Sequence, residues 1–172
     1  MNKLTTLLFA LLFSQSTQAQ WRQTCLDAVP ASTPTEQFIM HDNGTVTDTR
    51  TNLMWQTCLY GETYANGTCN PVGVIAYWNE ALDIAENAQY AGYDDWRLPN
   101  IKELLSIVEN QCVDPAMNLS VFPGASGTAL WSSSPFNDSN EIWFVFMNSG
   151  DTWHDGEEYE PYAFKLVRDA NP

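Results

Sequence analysis

Acidic side chains near the C-terminus form the densest group in the chain that could bind a metal ion. Asp155, Glu157, Glu158 and Glu160 fall within six residues, and Asp151 lies just before them. Ca²⁺ takes about six to eight oxygen ligands, which carboxylates supply. The sequence therefore allows a calcium site at Asp151, Asp155, Glu157 and Glu158. The simpler interpretation of the same residues is a solvated loop between two strands.

Aromatic residues beside this acidic segment are candidates for binding a sugar. Trp153 stands just before it, and an aromatic face beside polar groups suits a sugar ring. The alternative is that Trp153 pairs across a hairpin with Trp143 or Phe144. We expect a binding face built from residues 131–140 and 153–160, because binding sites tend to lie on strand ends and loops. Its predicted members are Trp131, Asn137, Glu141, Trp153, His154, Asp155 and Glu157.

Sequence motifs of the common enzyme classes are missing. The chain has no G-x-S-x-G, no H-E-x-x-H, no phosphate-binding P-loop and no G-x-G-x-x-G. Ser132, Ser133 and Ser134 form a hydroxyl cluster without an evident base. Paired carboxylates would suit glycosidase chemistry only at a set separation, which a sequence cannot show. We therefore expect a non-catalytic protein with no cofactor other than the calcium ion considered above.

The first twenty residues predict a secretory signal peptide. Lys3 is their only charged residue, Leu4 to Phe13 is an apolar run with two threonines, and a polar stretch then ends at the small residue Ala19. The predicted organisation is a signal peptide over residues 1–19, an N-terminal arm over 20–35 and one domain over 36–169.

The net charge limits the kinds of partner. The 172 residues carry 21 acidic and 7 basic side chains, or −14, and loss of Lys3 with the leader leaves −15. Such a field repels phosphate backbones, so we do not expect a nucleic-acid partner. No segment of the sequence is long and apolar enough to span a bilayer. The expected location is the periplasm or the outside of the cell.

The four cysteines predict two disulfides in an exported protein. Three pairings can be drawn. We favour Cys58 with Cys69, which closes a short loop, and Cys25 with Cys112, which attaches the N-terminal arm to the body. A zinc site is the alternative, but the chain has no C-x-x-C spacing and only two His.

Hydrophobic spacing predicts helices in the middle of the chain and strands mostly at its end. An amphipathic helix is expected over about residues 78–88, and a second over about 100–108, where a capping-box motif opens it. The continuous apolar run 142–147 is typical of a strand buried on both faces. Residues 152–154 and 162–168 are expected to be further strands. This order favours an α+β fold with two central helices and a C-terminal antiparallel sheet.

Several motifs together resemble the Lcl C-terminal domain family of exported bacterial proteins. Residues 43–55 are similar to its opening "DGTVTD…TGLxW", and residues 91–104 to its "GYxDWRLPxxKEL" signature. Residues 131–134 resemble its "WSS" element, and residues 164–168 its closing "xRLVR". The order of elements agrees over about residues 36–168, which is nearly the whole chain after the leader.

This resemblance implies a C-type-lectin-like fold and a role in adhesion. The best-described members bind sulfated glycans and can be trimeric, so the implied partners are a glycan or another cell-surface ligand, and a homo-oligomer is allowed. This chain departs in lacking a collagen-like Gly-x-y segment and in its strong negative charge. The alternatives are an assembly protein of the cell envelope that recognises protein, and an enzyme of the formylglycine-generating type. We interpret Trp96, Arg97, Leu98 and Pro99 as structural residues at the entry to the second helix.

Overall fold

A computed structural model describes residues 22–70, 72–124, 128–137, 140–156 and 160–171. The predicted leader, residues 1–19, lies outside the described residues. Within the described residues there are two helices, α1 (Trp78–Glu86) and α2 (Ile101–Leu105), with a 3₁₀ turn at Thr35–Gln37. The strands are β1 (Thr24–Cys25), β2 (Phe38–Met40), β3 (Thr45–Asp48), β4 (Leu53–Gln56), β5 (Thr63–Ala65), β6 (Thr68–Asn70), β7 (Ile75–Ala76), β8 (Cys112–Val113), β9 (Ala129–Pro135), β10 (Glu141–Phe146), β11 (Thr152–Gly156), β12 (Tyr162–Ala163) and β13 (Val167–Asp169).

Strands dominate the fold, so the expectation of an α+β fold with two central helices and a C-terminal sheet is wrong. One sheet has five strands in the order β11-β10-β9-β12-β7, and another has four in the order β13-β4-β3-β2. Two smaller pairs are β1-β8 and β5-β6. The early strands β2 to β4 have only three or four residues each. Their sheet is completed by β13 from the far end of the chain, and local hydrophobic spacing cannot show such a pairing.

The predicted strand over residues 162–168 is divided between the two large sheets. β12 pairs with β9 and β7, whereas β13 pairs with β4. The intervening residues, Phe164, Lys165 and Leu166, are buried. The C-terminal segment therefore connects the two sheets instead of extending one of them.

The apolar run 142–147 is covered on both faces only in part, since Phe146 is 38% exposed and Trp143 is half-buried. Val145 and Met147 pack in one core cluster with Leu130, and Phe144 packs in a second cluster with Trp131. All five side chains are almost completely buried. Burial of each such side chain contributes roughly 1.5–3 kcal/mol relative to exposure, so this strand lies at the centre of the molecule's stability.

Both predicted helices are present, and they start where the sequence places them. α1 starts at Trp78. Before α2, the Asn100 side chain accepts hydrogen bonds from the backbone N–H groups of Lys102 (2.9 Å) and Glu103 (3.0 Å), and the Glu103 carboxylate accepts one from the Asn100 backbone at 2.7 Å. This confirms the capping box. α2 ends earlier than expected, at Leu105. No helix of the described residues is long and apolar enough to cross a membrane.

The segment 96–99 connects the four-stranded sheet to β9. The backbone of Arg97 forms an antiparallel bridge with β13, and its guanidinium donates to both carboxylate oxygens of Glu103 at 2.7 and 2.8 Å. The carbonyl of Pro99 accepts a hydrogen bond from the backbone N–H of Ser133 at 2.8 Å. These contacts confirm the structural role expected for the segment, and they fix the second half of β9.

Both disulfides form in the favoured pairing. Cys25 is bonded to Cys112, and Cys58 to Cys69. These four sulfurs are therefore not zinc ligands in the oxidised chain, because zinc binds thiolates. The first bond lies within the β1-β8 pair, where Cys25 is directly opposite Cys112.

A buried carboxylate also holds the N-terminal arm. Glu109 accepts hydrogen bonds from the backbone and hydroxyl groups of Ser32 and Thr33 at 2.8–3.1 Å, and a further one from the Gln111 backbone. Burial acts to raise the pKa of Glu109, but these hydrogen bonds outweigh it and hold the pKa below its usual value. The arm is thus part of the packed structure.

Candidate functional site

Four aromatic side chains at one end of the five-stranded sheet form a surface that we call the aromatic platform: Phe136, Trp143, Trp153 and His154. The rings of Phe136 and His154 are parallel, with centroids 3.6 Å apart and planes 3° apart. The ring of Trp153 is also nearly parallel to that of His154, at 5.8 Å and 7°. Trp143 meets Phe136 and His154 edge-on, at 4.9 and 5.5 Å. These mutual contacts give the rings defined orientations.

Pairing of β10 with β11 aligns two of these rings and leaves a third exposed. Trp143 lies opposite His154, and Phe144 lies opposite Trp153. The predicted cross-strand pairing of Trp153 with Phe144 is therefore confirmed in register. The two partners differ in exposure, because Phe144 is buried whereas Trp153 is 60% exposed on the edge strand β11. Trp153 is both a cross-strand partner and an open surface.

An irregularity in β9 leads Phe136 to the platform. The pairing of β9 with β10 shifts register here. The hydroxyl of Ser132 donates to the carbonyl of Trp143 at 2.6 Å and accepts from the backbone N–H of Ser134 at 3.2 Å. The backbone N–H of Phe136 then donates to the carbonyl of Glu141 at 2.7 Å. The serine cluster, which looked like a lone group of hydroxyls in the sequence, thus stabilises a bulge.

Carboxylates lie beside the platform. Glu141 Oε2 is 3.5 Å from His154 Nδ1, a buried nitrogen that has no hydrogen-bond partner among the described residues. The contact is an ion pair only when the imidazole is protonated. Asp155 follows Trp153 by two residues on β11, so these two side chains lie on one face of the strand, whereas His154 and its cross-strand partner Trp143 lie on the other. Its Oδ1 accepts a hydrogen bond from the Gly156 backbone at 2.8 Å.

Most of the predicted binding residues that the structure describes lie at this platform. Glu141, Trp153, His154 and Asp155 do so, and exposed Asn137 follows Phe136 in the chain. Glu157 lies outside the described residues.

The predicted binding face includes Trp131, but the structure places this residue in the core and not at the platform. Its side chain is completely buried, and its Nε1–H donates to the carbonyl of Ala76 at 2.9 Å. Its ring packs against Phe144 and Tyr162. The reason is position in the sheet, since β9 has strands on both sides and β11 does not.

The predicted calcium ligands are only partly described. Asp151 Oδ2 accepts a hydrogen bond from the Ser149 hydroxyl at 2.7 Å. An extended strand rises about 3.3 Å per residue, which separates the Cα atoms of Asp151 and Asp155 by about 13 Å. Their short side chains do not converge on one ion across that span. Glu157 and Glu158 lie outside the described residues, so a calcium site that uses them stays a prediction.

A buried lysine beside the Cys58–Cys69 disulfide was not predicted. Lys165 Nζ donates to the carbonyls of Thr57 (3.0 Å) and Cys58 (2.9 Å) and lies 4.8 Å from the Phe122 ring centroid. Burial lowers the pKa of Lys165 to about 7, and attraction to Glu62 acts in the opposite direction. The one signal in the sequence was a single lysine inside the apolar segment 162–168.

Glu62 approaches the same disulfide. One of its carboxylate oxygens and the sulfurs of Cys58 and Cys69 all lie within 4.8 Å of one another. Burial raises the pKa of Glu62, against a hydrogen bond from the Leu59 backbone and the charge of Lys165. The two sulfurs are bonded to each other, so this group is not a set of metal ligands in the oxidised chain.

Phe136 is the platform residue that the sequence-based set omits. It lies two positions after the "WSS" element of residues 131–134 and precedes Asn137, so an aromatic residue at a strand end beside polar residues was the available signal. Its contact with His154 depends on the bulge in β9, and no local pattern predicts that.

Comparison with known proteins gives one finding, at the level of the family. The family model of the Lcl C-terminal domain matches residues 44–168. No curated protein and no solved structure matches the chain. The relation to C-type lectins that the sequence motifs implied is accordingly not shown.

Proposed function

The chain belongs to the Lcl C-terminal domain family, and from this premise we propose that it is an exported, non-catalytic binding module. Its ligand is a carbohydrate or another molecule of a cell surface, and this ligand binds on the aromatic platform. The observation that carries the proposal is Trp153, whose indole is 60% exposed yet held parallel to His154. A tryptophan that is apolar in its body, polar at its N–H and open to solvent is well suited to a binding surface.

The fixed orientation of the rings supports a binding role. Ordering a free side chain on binding costs about 0.5–1.5 kcal/mol. Here Phe136 and His154 stack on each other, and Trp143 contacts both. A ligand that stacks on Trp153 therefore meets side chains that are already ordered, which reduces this cost.

The two disulfides support export. Such bonds form and persist in oxidising compartments, and all four cysteines are paired here. The predicted leader over residues 1–19 indicates the same route, to the periplasm or to the outside of the cell. The module attaches its N-terminal arm by both Cys25 and the buried Glu109, as an exposed environment with proteases favours.

A glycan array probed with the oxidised chain tests this proposal. It is run with Ca²⁺ and with EDTA, at low and at high salt. We expect specific hits that the Trp153→Ala variant loses. Loss of the hits in EDTA would indicate the acidic segment as a metal site, and loss in high salt would indicate an ionic ligand. A blank array under every condition would contradict a carbohydrate ligand.

Recognition of an envelope protein is the second candidate, and one observation favours it. Val72, Val74 and Ile75 are 89%, 37% and 61% exposed, and they lie at or just before β7, the other edge of the five-stranded sheet. An edge strand with exposed apolar side chains can pair with a strand of a partner. A pull-down from envelope extract, compared between the native chain and Ile75→Lys, separates this candidate from glycan binding.

The formylglycine-generating alternative requires a reactive cysteine. Each of the four cysteines is in a disulfide, so the proposal predicts that thiol titration of the native chain finds no free thiol. A reactive cysteine in that titration would support the enzyme alternative instead.

A further inference from the structure

The charges around the aromatic platform determine which ligands it can accept. Glu141 and Asp155 lie at the platform itself, and the Glu141 side chain is 37% exposed. Asp151 directly precedes β11, and Glu160 comes four residues after its end; both are exposed. The described ionisable groups on β10, β11 and their flanks are thus four carboxylates and one imidazole, that of His154.

Three of the six basic side chains that the structure describes are engaged elsewhere, and exposed Lys102 on α2 is not among them. Arg97 forms an ion pair with Glu103, and Arg168 forms one with Asp95 at 2.6 Å. Lys165 is buried with its ammonium against backbone carbonyls. These three cations are therefore not available to an anionic ligand at the platform.

The aromatic rings of the platform also favour a positively charged ligand. The face of an aromatic ring carries partial negative charge and attracts a cation within about 6 Å of its centre, most strongly at tryptophan. Trp153 offers such a face to solvent, and Asp155 lies on the same side of β11. A sulfate or carboxylate on a ligand would be repelled by both the ring face and the carboxylates.

We propose that the aromatic platform selects glycans that carry a free, protonated amino group. The inference rests on the proposed function, because it names the class of sugar that the platform takes. The ring of the amino sugar stacks on Trp153, and its ammonium group lies against the carboxylate of Asp155, on the same face of β11. Sulfated glycans are rejected by the same charges.

Titration calorimetry with matched oligosaccharides tests this selectivity on the full oxidised chain. The probes are a glucosamine tetramer with free amines, its N-acetylated form, which has the same backbone and no charge, and a sulfated oligosaccharide of similar length. At pH 6 and low salt, we expect the free-amine tetramer to bind about tenfold more tightly than the acetylated one. High salt should reduce that ratio, and the sulfated probe should bind least.

Variants show whether the platform carboxylates cause the preference. Asp155→Asn and Asp155→Ser should each reduce the ratio of the two affinities by about threefold. Two variants are used so that misfolding of one leaves the test intact. Asp94→Asn removes the same charge from an exposed loop residue elsewhere and should leave the ratio unchanged.

The calorimetry separates failure of the amino-group preference from failure of glycan binding itself. Equal affinity for the two tetramers, or tighter binding of the sulfated probe, overturns the amino-group preference while glycan binding stands. A ratio that Asp94→Asn lowers as much as Asp155→Asn also overturns it, because the effect would then be one of net charge. If none of the three probes binds, the preference is overturned, and the glycan array decides whether any carbohydrate is bound.

Discussion

Trp131 and Trp153 show how one sheet uses the same residue type in two ways. Trp131, on an inner strand, has its Nε1–H bonded to Ala76 and its ring in the core. Trp153, on the edge strand, packs opposite Phe144 and leaves most of its indole in solvent. The first stabilises the fold by burial, and the second is free to contribute to binding. Both lay in the predicted binding face, because a sequence does not show which strand is at the edge.

Removal of the Trp153 ring should separate binding from folding. We expect Trp153→Ala to weaken binding of a glycan hit by at least about tenfold, since the exposed indole supplies the stacking surface. The free energy of unfolding should fall by no more than about 1 kcal/mol, because most of the ring is already in water.

Tyr64→Ala is the matched control for this change. It removes an aromatic ring from the β5-β6 hairpin, which belongs to a different sheet, and it should leave affinity unaltered. Binding is followed by fluorescence titration and stability by urea unfolding. An affinity unchanged in Trp153→Ala would reject the platform as the binding face.

Lys165 should make the folded chain more stable as the pH rises above 7. Its pKa is about 7 in the folded chain, against an ordinary value of 10.5. Between these values the unfolded chain binds more protons, so the free energy of unfolding rises with pH. The expected gain from pH 7 to pH 9 is about 2 kcal/mol.

Comparison with Lys165→Met isolates this contribution, because the variant keeps the other titrating groups and loses the lysine. Urea unfolding of both chains at pH 7 and pH 9 is the measurement. The native chain should gain more stability than the variant over this interval. Equal pH dependence in the two chains would show that Lys165 does not titrate near neutrality.

At the scale of elements, segment 96–99 and α2 determine where the platform forms. Pro99 accepts a hydrogen bond from Ser133 of β9, and the backbone N–H of Ile101 donates to the Ser134 hydroxyl at 3.0 Å. These contacts hold the part of β9 that leads to Phe136. The family signature therefore positions the platform but contributes no ring to it.

Loss of the α2 cap should have a measurable cost. Asn100→Ala removes a side chain that accepts two backbone hydrogen bonds, and loss of such an N-cap typically costs about 1 kcal/mol. Thermal or urea unfolding measures the change. Asn148→Ala, at an exposed turn position, is the control and should change stability by less than about 0.5 kcal/mol. Equal effects of the two substitutions would contradict the role assigned to the cap.

Elements with local signals could be predicted from the sequence, and those that depend on distant partners could not. The capping box at Asn100, the start of α1 at Trp78 and the apolar strand β10 all follow from spacing within a few residues. The sheet that joins β13 to β4 depends on a pairing between the two ends of the chain. The platform could not be predicted for the same reason, because the stacking of Phe136 on His154 requires a bulge and a third strand.

At the scale of the whole molecule, two sheets and two disulfides join the ends of the chain to its middle. Residues 164–166 run from one sheet to the other, and the bond between Cys25 and Cys112 spans 87 positions. The bond between Cys58 and Cys69 spans only 11. In the chain-entropy account the longer loop gives the larger stabilisation, about 4.5 against about 3 kcal/mol.

Removing each disulfide separately should show this order. We expect the double variant Cys25→Ala with Cys112→Ala to lose more free energy of unfolding than Cys58→Ala with Cys69→Ala. Urea unfolding under identical oxidising conditions gives both values. A larger loss from the short loop would indicate that local packing around Lys165 and Glu62, and not loop entropy, dominates the effect of that bond.

The indole N–H signals of the tryptophans report directly whether ligand binds on the aromatic platform. The chain has seven Trp, and Trp78, Trp96 and Trp131 donate their Nε1–H to backbone carbonyls. Two-dimensional ¹H–¹⁵N NMR, with the Trp153 signal assigned from Trp153→Ala, follows each indole while a glycan hit is added. If ligand binds on the platform, the Trp153 signal shifts in proportion to saturation and those three stay in place. Shifts of Trp78, Trp96 or Trp131, with Trp153 unmoved at saturation, would contradict binding there.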